Sequence, residues 1–285
     1  MPSQRLAVNG VTLNTEIREP AQTSQAPEAL TLVLVHGFTG SAAGWGAHLQ
    51  AFAAAGLRVV APDMLGHGAS EAPADPRRYA IEHCQEDIIA ALAALDVRSG
   101  EAILLGYSMG GRIALATALY VPDFFRGLIL ESASPGLPTE EERAARRASD
   151  EALASRIERE GVPAFVDYWE NISLFASQRA LPPERRQALR AQRLRNTPQG
   201  LANSLRGVGA GAQPYLGDRL STLTLPTLLI AGALDEKYVG LARQMAHTLP
   251  NARLAIVSGA GHTVHFERPM EFDALVKTFC AELRV

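Results

Sequence analysis

Short, unbroken apolar runs alternating with segments of helical periodicity constrain this chain more than any other feature in it. LTLVLVHG, LRVVAPD, EAILLGYS and GLILESA, with TLLIAG and LAIVSG further on, are compact aliphatic stretches that end near a glycine, serine or aspartate. A strand with one wet face alternates apolar and polar residues; a continuous run is the mark of a strand covered on both faces. Around these runs, IEHCQEDIIAALAAL, MGGRIALATALY and PMEFDALVKTFCAEL repeat their apolar positions at helical spacing. The last of them carries a proline at its start, where a helix tolerates one. The alternation predicts an α/β fold: a mostly parallel sheet with helices on both faces. The opening RLAVNGVTLNTEI reads as a hairpin turning at Asn9-Gly10, and residues 19–28, EPAQTSQAPE, as a polar loop.

One stretch breaks the rhythm. Residues 136–220 hold no strand-like run and read as several helices, interrupted at Gly161-Val162-Pro163, Leu181-Pro182-Pro183 and Thr197-Pro198. The expected organisation is a core built from residues 1–135 and 221–285, with 136–220 inserted as a helical cap, or lid. All but two of the 27 basic residues are arginines, and 13 of those arginines lie in the inserted stretch. Composition narrows the function classes. With 47% hydrophobic and 20% charged residues the chain suits a globular fold. Its longest apolar stretch, residues 29–35, falls far short of the roughly 20 residues a spanning helix needs, so no membrane association is expected. A net charge of -3 argues against a nucleic-acid partner. MPSQRLAVNG has no apolar signal-peptide core, and Cys84 and Cys280 are too few for a disulfide framework, which points to the cytoplasm.

Four short motifs carry chemistry. Gly106-Tyr107-Ser108-Met109-Gly110 matches G-x-S-x-G between a buried run and a helix, the context that places a serine on a sharp, exposed turn. His36-Gly37-Phe38 follows the first buried run; the N–H groups of Phe38 and Met109 are the candidate oxyanion-hole donors. Asp235 follows TLLIAG and His262 follows LAIVSG. A serine needs a base, and the base an orienting acid. Ser108, Asp235 and His262 stand in the order such a fold requires, each beyond the carboxyl end of a strand. Glu131 is an alternative orienting acid. His36 reads as a tie between loops, His67 as a loop-stabilising residue and His265 as a loop or helix-start residue. His48, His83 and His247 fall on helices without a partner pattern. No zinc-ligand spacing and no nucleotide-binding glycine pattern occurs, so neither a metal nor a cofactor is expected. Arg112 lies one helical turn after Ser108. Beside a nucleophile a guanidinium suits a substrate carboxylate, although a purely structural arginine is the competing reading.

HGF, DMLGHGAS, GYSMGG, ALD and GAGH together resemble the α/β-hydrolase superfamily across essentially the whole chain. That resemblance implies an eight-stranded sheet whose second strand is antiparallel, with a helical cap after the sixth. GYSMGGRIAL, SPGLPTEEERAARRASD, DYWENISLF, RLRNTPQGLANSLRGVGAGAQP and GALDEKY further resemble the 2-succinyl-6-hydroxy-2,4-cyclohexadiene-1-carboxylate synthase family of menaquinone biosynthesis. Membership implies a lyase that removes pyruvate from a small tricarboxylate, without cofactor, on a Ser-His-Asp triad. It assigns Ser108, Asp235 and His262 to the triad, Phe38 and Met109 to the oxyanion hole, and Tyr107, Arg112, Arg146, Trp169 and Arg193 to substrate binding. Arg143 and Arg147 compete with Arg146 for register, and Arg195 with Arg193. The chain departs from the family pattern at Ser173, where a proline is expected. The alternative is a serine hydrolase of an ester, thioester or carbon–carbon bond in a carboxylate-bearing substrate; a third reading is a ligand-binding protein. Monomer and homodimer are both compatible with the sequence.

Overall fold

A computed structural model describes residues 3–21 and 30–284; residues 22–28 of the expected polar loop lie outside the described residues. Eight strands form one sheet: β1 (Ser3–Val8), β2 (Val11–Arg18), β3 (Thr31–Val35), β4 (Arg58–Pro62), β5 (Ala102–Tyr107), β6 (Phe125–Glu131), β7 (Thr227–Gly232) and β8 (Ala252–Val257). Their order is β1-β2-β4-β3-β5-β6-β7-β8. β2 runs antiparallel to both neighbours, and every pairing from β4 to β8 is parallel. The β1–β2 hairpin turns where expected: Asn9 and Gly10 both have positive φ, 46° and 78°, as a two-residue turn between twisted strands requires.

The described residues form nine α-helices: α1 (Ala47–Ala54), α2 (Ile81–Ala94), α3 (Met109–Tyr120), α4 (Glu140–Trp169), α5 (Pro183–Arg193), α6 (Pro198–Val208), α7 (Glu236–Thr248), α8 (Val264–Glu267) and α9 (Pro269–Glu282). The central strands bury both faces, which is why their sequences do not alternate. Val33, Val35, Leu104 and Leu130 face the side of Ile88, Ile113 and Met245, from α2, α3 and α7. Leu32, Leu34, Ile103 and Leu105 face the side of Leu49, Phe52 and Phe272, from α1 and α9. β8 differs: its apolar run sits at the sheet edge, leaving Ile256 39% exposed.

Between β6 and β7 the described chain is helical or irregular throughout. α4 opens with a reciprocal cap between Thr139 and Glu142 and is broken at Gly161 (φ 82°, ψ 168°), two residues before Pro163. That break gives the proline a helix start in place of a helix interior, where its ring and missing N–H would be costly. α5 has its proline at the first turn, and α6 opens from Thr197, whose side chain accepts from the Gly200 N–H. Ala154, Ile157, Phe165 and Val166 of α4 pack on Leu201, Ala202 and Leu205 of α6. α6 in turn is fastened to the body. Asn203 Nδ2 donates to the carbonyls of Pro73 (3.0 Å) and Ala74 (3.1 Å), and Asn196 Nδ2 to that of Thr39 (3.0 Å). Gly200 presses so closely on Gly66 that a Cβ there would stand 2.1 Å from its carbonyl oxygen. No described helix is long and apolar enough to cross a membrane.

Candidate active site

Ser108 sits between β5 and α3 with φ 52° and ψ -108°, a conformation that L-residues rarely adopt. The turn exists because its flanks are bare. A Cβ on Gly106 would stand 2.2 Å from the Gly110 carbonyl oxygen, and one on Gly110 2.1 Å from that of Val35. Strain of this kind persists only where the surroundings hold it, and it clusters at functional sites. Here it presents the hydroxyl at the start of α3, beyond the carboxyl edge of the sheet.

The Ser108 hydroxyl lies 2.9 Å from Nε2 of His262, whose Nδ1 lies 2.7 Å from Oδ2 of Asp235. The Nδ1–H therefore donates to the carboxylate and Nε2 is left to accept from the serine. His262 is 1% exposed, and the rings of Tyr107, Phe175 and Tyr238 surround it at 5.5, 6.0 and 4.5 Å. Asp235 is fixed as the N-cap of α7, its second oxygen accepting from the Tyr238 N–H at 3.4 Å.

Glu131 is committed elsewhere. It accepts from both the backbone N–H (2.9 Å) and Nδ1 of His265 (2.8 Å), so Asp235, not Glu131, orients His262. His265 opens into the short helix α8. His36 donates through Nδ1 to the Gly37 carbonyl (2.8 Å) and accepts from Met64 N–H at Nε2 (2.9 Å), tying the loop after β3 to the loop after β4. Burial pushes its imidazole down to about 4, and that of neighbouring His67 to about 3. His48 has partners that the sequence did not reveal: Asp273 at 2.5 Å and the His265 carbonyl at 2.9 Å, both from distant chain positions. His83 pairs with Glu86 on the exposed face of α2.

A cavity of about 920 Å³ opens over the serine, lined by Phe38, Tyr107, Ser108, Met109, Arg112, Arg146, Trp169, Asp235, Tyr238 and His262 among others. Met109 is the first residue of α3, so its N–H is one of the helix's unsatisfied amides. The Tyr107 hydroxyl is held 2.8 Å from Thr263. Arg112 is buried. Its guanidinium donates to the Gln213 side chain and, at 2.8 Å, to the Val208 carbonyl, both uncharged. Desolvation pulls it down to about 10. Arg146 lines the cavity while bonded to Asp150 at 2.8 Å. Arg143 and Arg147 instead turn to Glu140 and to backbone carbonyls. Trp169 meets Phe38 and Phe175 edge-on and Phe165 at a tilt, and its buried indole N–H has no partner among the described residues.

Arg193 is not brought into this cavity. Its guanidinium lies 4.9 Å over the Phe175 ring and lines a separate chamber of about 50 Å³ with Tyr107 and His265. The reason is local: Arg193 ends α5, and the favourable stack on Phe175 holds it beside a ring that lines both spaces. Arg195 is exposed. The sequence reading also missed Tyr238 and Lys237, which line the cavity just after Asp235; the adjoining acid motif was the signal that could have found them. Among the described residues no group of three or more His, Cys, Asp or Glu side chains is placed to hold a metal ion.

The sheet order and the serine turn define a class: the chain belongs to the alpha/beta hydrolase fold family, whose model matches residues 31–269. Within that fold it is similar to a narrower group. A Bacillus subtilis (strain 168) protein provisionally named 2-succinyl-6-hydroxy-2,4-cyclohexadiene-1-carboxylate synthase is 41% identical over 252 residues, 88% of this chain and 90% of that one. The synthase of that name from Salmonella paratyphi C (strain RKS4594) is 34% identical, covering 85% and 90%. Of solved structures, MenH from S. aureus superposes with a TM-score of 0.89 at 34% identity, covering 95% of this chain and 99% of that one. A thermophilic esterase from Thermogutta terrifontis, with malate bound, gives 0.84 at 25% identity over 99% and 100%.

Proposed function

We propose that this protein is a carbon–oxygen lyase of menaquinone biosynthesis. In this reading it eliminates pyruvate from 2-succinyl-5-enolpyruvyl-6-hydroxy-3-cyclohexene-1-carboxylate, leaving 2-succinyl-6-hydroxy-2,4-cyclohexadiene-1-carboxylate. The observation that carries the reading is Arg112, a buried cation in the same cavity as Ser108 whose hydrogen-bond partners are both neutral; the Asp150 carboxylate within its electrostatic reach is already bonded to Arg146. Burying a charge is costly unless something compensates it, and an anionic substrate supplies the compensation. Identity of 34–41% to named synthases, over 85–88% of this chain, supports the same reading.

His262 accepts the Ser108 proton, and the serine oxygen removes the ring proton next to the succinyl carbonyl. The electron pair moves onto that carbonyl oxygen, where the N–H groups of Phe38 and Met109 receive the developing charge. Its return forms a double bond from the deprotonated carbon to its ring neighbour; the existing ring double bond shifts one position on and expels the enolpyruvyl oxygen from the next carbon. The abstracted proton passes to the departing enolate, which becomes pyruvate. No water is consumed. Arg112 and Arg146 each hold one substrate carboxylate, while Tyr107 and Trp169 wall the ring. Arg193 reaches the third carboxylate when Phe175 turns aside. Residues 136–220 act as a lid over a core formed by 1–135 and 221–285. The two buried, unpaired cysteines suit a reducing cytoplasm.

Pyruvate release, followed with a coupled dehydrogenase while the preceding enzyme makes the substrate in situ, tests the proposal. Release well above the spontaneous rate, lost in Ser108→Ala, supports it. Cleavage of a nitrophenyl ester without pyruvate release would instead favour hydrolysis of a carboxylate-bearing ester, a reading that the likeness to an esterase with malate bound keeps in play.

A further inference from the structure

Tyr238 is placed by the triad itself. Its N–H caps onto Asp235, and its ring stands edge-on to His262 with centroids 4.5 Å apart and planes at 62°. The Lys237 ammonium lies 5.8 Å from the centre of that ring. Packing of this kind fixes where the hydroxyl can go. Tyr238 lines the 920 Å³ cavity, and its hydroxyl has no hydrogen-bond partner among the described residues. This sets it apart from the cavity's other tyrosine near His262, Tyr107, whose hydroxyl is spent on Thr263. A half-buried phenol usually finds a partner, so an unspent one facing a cavity is a donor waiting for a ligand.

The neighbourhood says which ligand. Tyr238 and Arg112 line the same cavity with Arg146, and the two carboxylates near them, Asp235 and Asp150, are already bonded to His262 and to Arg146. Burial pushes the phenol further above its ordinary value, so the hydroxyl is a donor at neutral pH. Arg112 spends one N–H of each terminal nitrogen on Gln213 and Val208, which leaves other N–H groups available. We propose that the Tyr238 hydroxyl is a second donor to the carboxylate that Arg112 receives, making with it a two-pronged carboxylate clamp beside Ser108. The assignment rests on the reading of the substrate as a carboxylate-bearing ring, and it adds to that reading a residue that sorts carboxylates from neutral ligands.

Tyr238→Phe keeps the ring, its contact with His262 and the capping N–H, and removes one hydroxyl. Two measurements decide the matter. In the pyruvate-release assay, KM rises about tenfold and kcat falls by less, the size expected for one lost hydrogen bond to a charged group; the pH profile of kcat stays that of the parent. In calorimetry with succinate as the probe, Tyr238→Phe weakens binding about tenfold in the parent protein and less than twofold in an Arg112→Ala background, because both groups act on one carboxylate. Equal succinate affinity with and without the hydroxyl, or binding by neither protein, overturns the clamp. So does a pH profile displaced along with kcat, which would make the residue a support for His262 alone. If the parent releases no pyruvate, the lyase reading falls by itself and the calorimetry still decides the clamp.

Discussion

Two carboxylate–imidazole pairs lie at the same edge of the sheet, their histidines three residues apart. Asp235 meets His262 at 2.7 Å, and Glu131 meets His265 at 2.8 Å. Chemically they are twins. What separates them is the far side of each ring. His262 turns Nε2 to a strained serine in a cavity. His265 gives Glu131 its backbone N–H as well as its ring N–H, and its carbonyl is held by His48. The Trp45 ring packs on it at 4.7 Å. The first pair ends in a serine that lines the cavity; the second ends in the core. An acid beside a histidine is therefore no sign of catalysis until the third partner is known.

The sharpest way to break that contrast is to remove the third partner. Ser108→Ala is expected to lower kcat by about three powers of ten or more, with a melting temperature close to the parent's. A rate within tenfold of the parent would end the assignment. Glu131→Ala should show the opposite division. A buried pair that loses one member costs about 3–5 kcal/mol, so the midpoint of urea unfolding should fall clearly. If Glu131→Ala folds as stably as the parent yet is inactive, the two pairs have been read the wrong way round.

A third comparison uses acid. His36 and His67 are buried as neutral imidazoles, held at about 4 and about 3 against 6.5 in an unfolded chain. The unfolded state therefore binds more protons below pH 6.5. The stability these groups lend is fully present above 6.5 and is lost as pH falls, toward 4 for His36 and toward 3 for His67, by up to about 3 and about 5 kcal/mol. A His67→Gln protein should lose less stability than the parent between pH 7 and 5. Parallel stability–pH curves for the two proteins would remove His67 from the account. Smaller again, Arg112→Ala should cost about one to two powers of ten in kcat/KM for the carboxylate substrate. Arg193→Ala, acting from behind Phe175, should cost less than Arg112→Ala. Reversed ranks would mean that Arg193, and not Arg112, holds the carboxylate that matters most.

Much of this was legible in the sequence, for reasons that differ by element. β3 and β5 could be read because a strand buried on both faces has no polar positions to confuse the pattern. Ser108, Asp235 and His262 could be read because each follows such a strand and the fold fixes their order. The cap was less legible. Which of Arg143, Arg146 and Arg147 enters the cavity depends on where Glu140, Asp150 and the carbonyl of Gly211 lie, and those are side-chain choices made after the helices pack. Arg193 was expected beside the substrate because nothing in RLRNTPQG shows that a ring from the segment Ser173–Ala180 stands in the way. His48 found Asp273 some 225 residues on, a pairing no local pattern contains.

The seam between Gly66 and Gly200 has a mechanical consequence. With backbone against backbone there, and Asn196 and Asn203 bonded to body carbonyls, α6 is the spine of a book and α4 its cover. Arg146 and Trp169, on the cover, reach the cavity from α4, while Ser204 and Leu205 reach it from the spine itself. Widening either glycine to alanine would press the spine away from the body and shift the seat of the cover without altering any side chain that lines the cavity.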